Sequence, residues 1–236
     1  QKIAKHIYLW DYVDRAGPTA FPDFEALNQG WPFLVKHGVS GVFLEGQLQG
    51  RTSLAELKVW LYLKKMWNPN WSQKELITEF LNAYYGPASV DMTTYYELQM
   101  NRWNDWYANR KPGERLMFSD AEKAKMHDLL TAALDKCNGQ PDYQAKVERE
   151  LLSWHCLMLS TYPTEATASK FGEYINGALS LITKLGVLYI GEGLTSESAL
   201  KRWNDQLKKV TDKKGLPQYS ANSITVKEPQ CPVAKY

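Results

Sequence analysis

The spacing of apolar residues changes near residue 53, and this change limits the folds open to the 236-residue chain. Before it, short apolar runs at 7–10 and 39–44, each followed by a carboxylate, flank a segment from 22 to 37 with helical spacing. Short continuous apolar runs are typical of strands buried on both faces, and two strands joined by a helix form a βαβ unit with parallel strands. Beyond residue 53 the spacing is helical almost throughout. The sequence therefore predicts a mainly α fold, with a βαβ portion followed by an α-helical bundle.

Serine–glutamate pairs and turn residues mark the predicted helices. Ser53, Ser72 and Ser119 each lie three residues before a glutamate, which is the spacing of a capping box at the amino terminus of a helix. Helix ends are predicted at four turn sequences, which are Asn68-Pro69-Asn70, Gly86-Pro87, Asn138-Gly139 and Gly186.

The predicted strand pair is incomplete by itself. Two parallel strands leave sheet edges and apolar faces without neighbours, and no other strong strand is evident in the sequence. Either the strands pack on the helices, or other chains or a further N-terminal segment complete the sheet. We favour a piece of a longer protein, divided into a β/α portion at 1–70, an α-helical domain at 71–214 and an irregular tail at 215–236.

Charge and cysteine content argue against several classes of function. The chain has 28 basic and 26 acidic residues and a net charge of +2, with no basic stretch that would favour nucleic acid. Three cysteines, at 137, 156 and 231, form neither a disulfide framework nor a metal-ligand pattern. No apolar run approaches the length of a membrane span. We therefore expect no nucleic-acid partner, no membrane span, no metal and no cofactor.

Each predicted strand ends in a carboxylate, Asp11 after the first and Glu45 after the second. Functional groups of parallel α/β barrels lie at the carboxyl ends of the strands. Glycoside hydrolysis requires paired carboxylates, one to protonate the leaving oxygen and one to activate water or attack directly. Neighbouring strands lie about 5 Å apart, so Asp11 and Glu45 are predicted as catalytic residues that face one substrate.

The predicted substrate-binding residues lie beside these carboxylates and are Trp10, Tyr12, Gln47 and Arg51. Aromatic rings stack on sugar rings, and their polar tips hydrogen-bond to hydroxyl groups. A structural alternative exists, because a carboxylate after a strand also caps the next helix or pairs with an arginine, and Arg15 and Arg51 are both available.

Other candidates favour structural roles. His127 and His155 lie on predicted helices without partners at metal-ligand spacing, and the adjacent His155 and Cys156 point apart on a helix. The aromatic segment 103–107 is a candidate sugar platform, although its helical spacing favours core packing. Gly191-Glu192-Gly193 is predicted as a loop, too short for a phosphate-binding motif.

Four segments carry a resemblance to a known family: 8–12, 38–46, 55–69 and 79–86. They resemble the C-terminal portion of a large family of secreted proteins that is common in Bacteroides-type gut bacteria and is distantly similar to α-glucuronidases. In that family a (β/α)₈ barrel precedes a helical domain. The resemblance extends over about residues 6–90, and residues 60–86 are also similar to the helices that close the α-glucuronidase barrel.

The resemblance implies that the β/α portion at 1–70 is the end of a (β/α)₈ barrel, with its last two strands at 7–12 and 39–45. It places Asp11 and Glu45 at the sugar-facing rim. The implied protein is a secreted, periplasmic or cell-surface glycoside hydrolase that acts on a polysaccharide or oligosaccharide. Its earlier strands would be a missing N-terminal barrel segment that carries at least one further catalytic carboxylate, so we expect the isolated chain to be inactive. The alternatives are a noncatalytic carbohydrate-binding module and a helical interaction module.

Overall fold

A computed structural model describes residues 5–12, 22, 24–45, 52–191 and 193–211, apart from the side chains at 26, 27 and 29. The chain is mainly helical over these residues, as predicted. The predicted irregular tail at 215–236 lies outside the described residues.

The first elements form the predicted βαβ unit. Strand β1 (Ile7–Tyr12), helix α1 (Phe24–Lys36) and strand β2 (Val39–Glu45) follow one another, and β1 pairs with β2 in parallel. Both strands begin where the apolar runs begin, and they extend past the runs to Tyr12 and Glu45, the bounds that the resemblance implies. Within the described residues this sheet contains only the two strands, and the barrel that the resemblance implies is not shown.

From residue 52 to 211 the described chain is a succession of helices, and each contacts the next along the chain. The helices are α2 (Ala55–Trp67), α3 (Gln73–Tyr85), α4 (Ser89–Asn109), α5 (Asp120–Lys136), α6 (Pro141–Met158), α7 (Ala168–Leu185) and α8 (Ser196–Thr211). A hairpin of β3 (Tyr189–Gly191) and β4 (Leu194–Thr195) separates α7 from α8. Sequence spacing missed this hairpin because its strands are too short to show alternation.

The predicted capping boxes have different outcomes. At α5 the box is complete, because the Ser119 hydroxyl accepts the Glu122 N–H and the Glu122 carboxylate accepts the Ser119 N–H. At α3 the Ser72 hydroxyl accepts the Glu75 N–H at 3.4 Å. The capping box predicted at Ser53 is wrong: Leu54 is the N-cap residue of α2, and no side chain caps it.

Two apolar clusters form the core. The first joins α1 and α2 to α3, α4, α5 and α6, and Val42 and Leu44 of β2 pack against it. The second lies between α6, α7, α8 and the β3–β4 hairpin. The first cluster contains residues on both sides of residue 70, the predicted boundary between the β/α portion and the α-helical domain. The strand pair is therefore supported from one side by the same core that holds the helices.

Candidate functional site

The parallel register divides the side chains of β1 and β2 between two faces. Tyr8 pairs with Gly41, Trp10 with Phe43, and Tyr12 with Glu45. Because side chains alternate along a strand, one face presents a group that we call the aromatic face, made of Tyr8, Trp10, Tyr12, Phe43 and Glu45. The opposite face carries Leu9, Asp11, Val42 and Leu44 and lies towards the helices.

The aromatic face is open to solvent in the described structure. Tyr8 is 74% exposed, Trp10 63%, Phe43 57% and Tyr12 45%. Gly41 permits this arrangement, because a Cβ atom at that position would lie 2.5 Å from the Tyr8 ring. Rings of this size contribute strongly to binding when they become covered. The face is therefore suited to contact with another molecule or another part of a protein.

Glu45 lies at the carboxyl end of β2 on this face and is held by Trp10. The indole N–H of Trp10 donates to Glu45 Oε2 at 2.8 Å. The Trp10 ring in turn meets the Phe43 ring edge to face, with 4.8 Å between their centroids. The carboxylate therefore has a defined position beside an exposed aromatic surface.

Asp11 points the other way. Tyr62, a core residue of α2, donates its hydroxyl to Asp11 Oδ2 at 3.3 Å, and Asp11 Oδ1 accepts the backbone N–H of Tyr12 at 2.9 Å. The structure thus does not bring Asp11 and Glu45 together on one face, contrary to the expectation that both face one substrate. The reason is the strand register, which pairs Glu45 with Tyr12. Asp11 precedes Tyr12 by one residue, so its side chain lies on the opposite face of the sheet.

The remaining predicted site residues differ in what the structure describes. Trp10 and Tyr12 lie on the aromatic face with Glu45. Gln47 and Arg51, and the alternative ion-pair partner Arg15, lie outside the described residues, so their roles stay predictions.

A buried carboxylate that sequence reasoning missed lies in α6. Glu150 is 2% exposed, and it accepts the Ser53 hydroxyl at 2.9 Å, the Leu54 N–H at 3.1 Å and the Tyr85 hydroxyl at 3.2 Å. Burial, and secondarily the negative charge of Glu56, raises the pKa of Glu150 to about 8. A signal was present in the sequence, because Glu150 falls on the apolar stripe that contains Val147 and Leu151.

The Glu150 network explains the failed prediction at Ser53. The Ser53 hydroxyl meets the Tyr95 hydroxyl at 3.0 Å and accepts from Gln99 Nε2 at 2.9 Å, in addition to its bond to Glu150. Ser53 is therefore unavailable as a helix cap. The network joins the start of α2 to α3, α4 and α6, and so fixes the point at which the chain re-enters the core after β2.

Other candidates from the sequence pack within helices. Trp103 is buried, which confirms core packing for that ring, whereas Tyr107 is exposed with the Arg110 guanidinium 4.2 Å from its ring centroid. Burial, with a contribution from His127, lowers the pKa of His155 to about 4. Cys137 and Cys156 are buried.

Neither a metal-ligand cluster nor a membrane-spanning helix is present in the part of the chain that the structure describes. It contains no group of three or more His, Cys, Asp or Glu side chains placed to hold a metal ion. None of the helices there combines the length and the apolar character needed to cross a bilayer.

Comparison with known proteins gives one match, which is confined to the first part of the chain. Residues 1–97 match the model of a domain of unknown function, DUF4838. The matched range runs from β1 into α4, and so it includes the aromatic face, Glu45, Asp11 and the start of α2 with Ser53 and Leu54. No curated protein and no solved structure matches the chain.

Proposed function

We propose that the chain is part of a glycoside hydrolase in which Glu45 is a catalytic carboxylate. The observation that carries this proposal is the 2.8 Å hydrogen bond from the Trp10 indole to Glu45, at the carboxyl end of a parallel strand and on an exposed aromatic face. Strand ends of this kind hold the catalytic groups of (β/α)₈ barrels. Aromatic rings beside a carboxylate suit a sugar, whose C–H faces stack on rings while the carboxylate reacts.

The two carboxylates take different roles in this proposal. Glu45 lies on the aromatic face and reaches the substrate, and Trp10 orients it. Asp11 is a positioning residue, because its contacts with Tyr62 and with the Tyr12 backbone fix the end of β1 against α2. The second catalytic carboxylate that glycoside hydrolysis needs then comes from another strand.

In this proposal that strand belongs to an N-terminal barrel segment of the same protein, which completes the sheet. Tyr8 and Phe43 lie on the aromatic face further from the strand ends than Glu45. In a closed barrel such residues pack in the interior, whereas residues at the strand ends line the site. A secreted, periplasmic or cell-surface protein that acts on a polysaccharide or oligosaccharide is the setting that the family resemblance favours.

A second candidate is noncatalytic carbohydrate binding by the aromatic face. The exposure of Tyr8, Trp10, Tyr12 and Phe43 favours it, since neighbouring exposed rings alone can hold a sugar chain. In this case Trp10 rather than Glu45 contributes most to sugar binding, and no glycosidic bond is cleaved.

The test uses the longest natural protein that contains this chain and a panel of aryl glycosides and glucuronides. Glu45→Gln keeps the size of the side chain and is expected to lower kcat by about 10²–10⁴-fold. Glu79→Gln, in the exposed part of α3, is the matched control and should leave the rate unchanged. Hydrolysis that survives Glu45→Gln in full would refute the catalytic proposal. Binding without hydrolysis, lost in Trp10→Ala, would establish the second candidate.

A further inference from the structure

A second concave surface lies far along the chain from the strand pair, in the helical part. We call it the helical groove, and its walls are the first half of α5, the end of α6, the 161–167 connection and the start of α7. Its volume is about 510 Å³, which falls within the range of small-molecule sites. The groove shares no lining residue with the aromatic face.

Aromatic side chains form the floor and one rim of the groove. Trp154 is 6% exposed, with the His127 ring 4.5 Å and the Tyr174 ring 5.5 Å from its own. Its indole N–H donates to the Lys123 carbonyl at 2.8 Å, so it is not available to a ligand. Tyr162 is 74% exposed at the rim. A ligand here meets ring surfaces, which suits the C–H face of a pyranose.

Polar groups of both signs surround these rings. The lining includes two carboxylates, Asp120 and Asp128, and two ammonium groups, Lys123 and Lys170. Lys123 donates to Asp120 Oδ1 at 3.2 Å, and Asp128 and Lys170 add one charge of each sign. The formal charges cancel, so the groove favours neither an anion nor a cation. Carboxylates only accept hydrogen bonds, whereas ammonium groups only donate them. A neutral ligand with many hydroxyl groups satisfies both.

The segment that carries Tyr162 is ordered by its own hydrogen bonds. Thr161 donates its hydroxyl to the Met158 carbonyl at 3.2 Å, and the Thr164 N–H donates to the Thr167 hydroxyl at 2.9 Å. Pro163, between them, is buried. Order before binding lowers the entropic cost of holding a ligand, so Tyr162 is well placed to act as a fixed stacking surface.

We propose that the helical groove is a second carbohydrate site, which binds a neutral saccharide with Tyr162 stacked on a sugar ring. The class of ligand follows from the groove itself, but its use in a carbohydrate-active protein rests on the proposed function. A site of this kind holds a polysaccharide chain without cleaving it. It therefore increases the time that the substrate spends near Glu45.

The experiment measures binding of xylotriose, cellotriose and mannotriose to the 236-residue chain by calorimetry and by saturation-transfer NMR. At least one neutral trisaccharide is expected to bind saturably. Tyr162→Ala should weaken that binding by about three- to tenfold, as expected for the loss of one stacked ring. Tyr162→Phe keeps the ring and should keep the affinity, and Tyr107→Ala removes another exposed ring, on α4 outside the helical groove, as a control.

Each contrary result has a definite meaning. Absence of binding by all three trisaccharides overturns the proposal, and so does full affinity in Tyr162→Ala. Tighter binding of a galacturonic acid trimer overturns the assignment to neutral saccharides. If Trp10→Ala abolishes binding and Tyr162→Ala does not, the saccharide occupies the aromatic face instead. Loss of hydrolysis in Glu45→Gln tests the proposed function separately, because Tyr162→Ala leaves Glu45 and its surroundings unchanged.

Discussion

Both carboxylate oxygens of Glu150 lie 3.1 Å from the backbone nitrogen of Leu54, which donates its N–H to them. Leu54 has φ of 58°, in the left-handed region, and it is the N-cap residue of α2. A non-glycine residue in this region costs about 1–2 kcal/mol. The bond from Glu150, together with the burial of the Leu54 side chain in the first core cluster, offsets that cost. The start of α2 therefore depends on a side chain almost a hundred residues further along the chain.

The raised pKa of Glu150 predicts that stability falls as pH rises. Between the ordinary value of 4.5 and about 8, the unfolded chain has lost this proton while the folded chain keeps it. The free energy of unfolding then decreases by up to about 1.4 kcal/mol per pH unit in this window. Urea denaturation of the wild type between these pH values, compared with Glu150→Gln, should show a steeper decline in the wild type.

The matched control for Glu150 is Glu173→Gln on the exposed side of α7. It should retain the wild-type dependence on pH. Equal slopes for the wild type and Glu150→Gln would show that Glu150 is ionised in the folded protein, held by its hydrogen-bond donors.

Gly177 packs against His155 between α7 and α6, and this contact predicts a coupled pair of substitutions. A Cβ atom at position 177 would lie 2.2 Å from His155 Cε1. Gly177→Ala should destabilise the protein by about 1–3 kcal/mol through overpacking, despite the higher helix propensity of alanine. In a His155→Ala background the clash is absent, and the same change should stabilise by up to about 1 kcal/mol.

A thermodynamic cycle from chemical denaturation measures this coupling. Gly30→Ala is the control, because Gly30 lies within α1 and a Cβ atom there would have nothing within 4 Å. It is expected to stabilise the protein slightly in either background. Additive effects of the two substitutions at 155 and 177 would contradict the predicted contact.

The complete capping box at α5 predicts a local loss of stability. Ser119→Ala removes the hydroxyl that accepts the Glu122 N–H and should cost about 1 kcal/mol. Thermal or urea denaturation measures the loss. Ser180→Ala, at an exposed position of α7, removes a serine hydroxyl where there is no helix start to cap, and should be close to neutral. An equal effect of both substitutions would show that the box contributes nothing.

Some features of the fold are determined by residues that are neighbours in the sequence. The starts of β1 and β2, and the box at Ser119, follow from neighbouring residues and were predicted. The apolar runs of these strands indicated burial on both faces, but the structure describes one face as open. Whether a face is covered depends on parts of the protein outside the run itself.

Long-range interactions account for the differences at Ser53 and Asp11. Ser53 has the spacing of a capping residue, but Glu150 takes its hydroxyl. Asp11 has the position of a catalytic residue, but its face depends on strand register. That register includes an irregularity between Ile7 and Tyr8, which a sequence pattern does not reveal.

The contact between Tyr62 and Asp11 predicts that substitutions of the two strand-end carboxylates, Asp11 and Glu45, differ in their effects on stability and on kcat. Tyr62→Phe removes the hydroxyl that donates to Asp11, and should cost about 0.5–1.5 kcal/mol. Asp11→Asn should cost a similar amount, and the double variant little more than either, because both changes break one interaction. Glu45→Gln lies on the open aromatic face and should leave the free energy of unfolding almost unchanged. In the longest natural protein that contains this chain, the proposed function predicts the reverse order for kcat, since Asp11→Asn should retain most of it while Glu45→Gln loses it. If Asp11→Asn instead abolished hydrolysis at unchanged stability, Asp11 would act on the substrate, and the sequence hypothesis of a catalytic pair would hold.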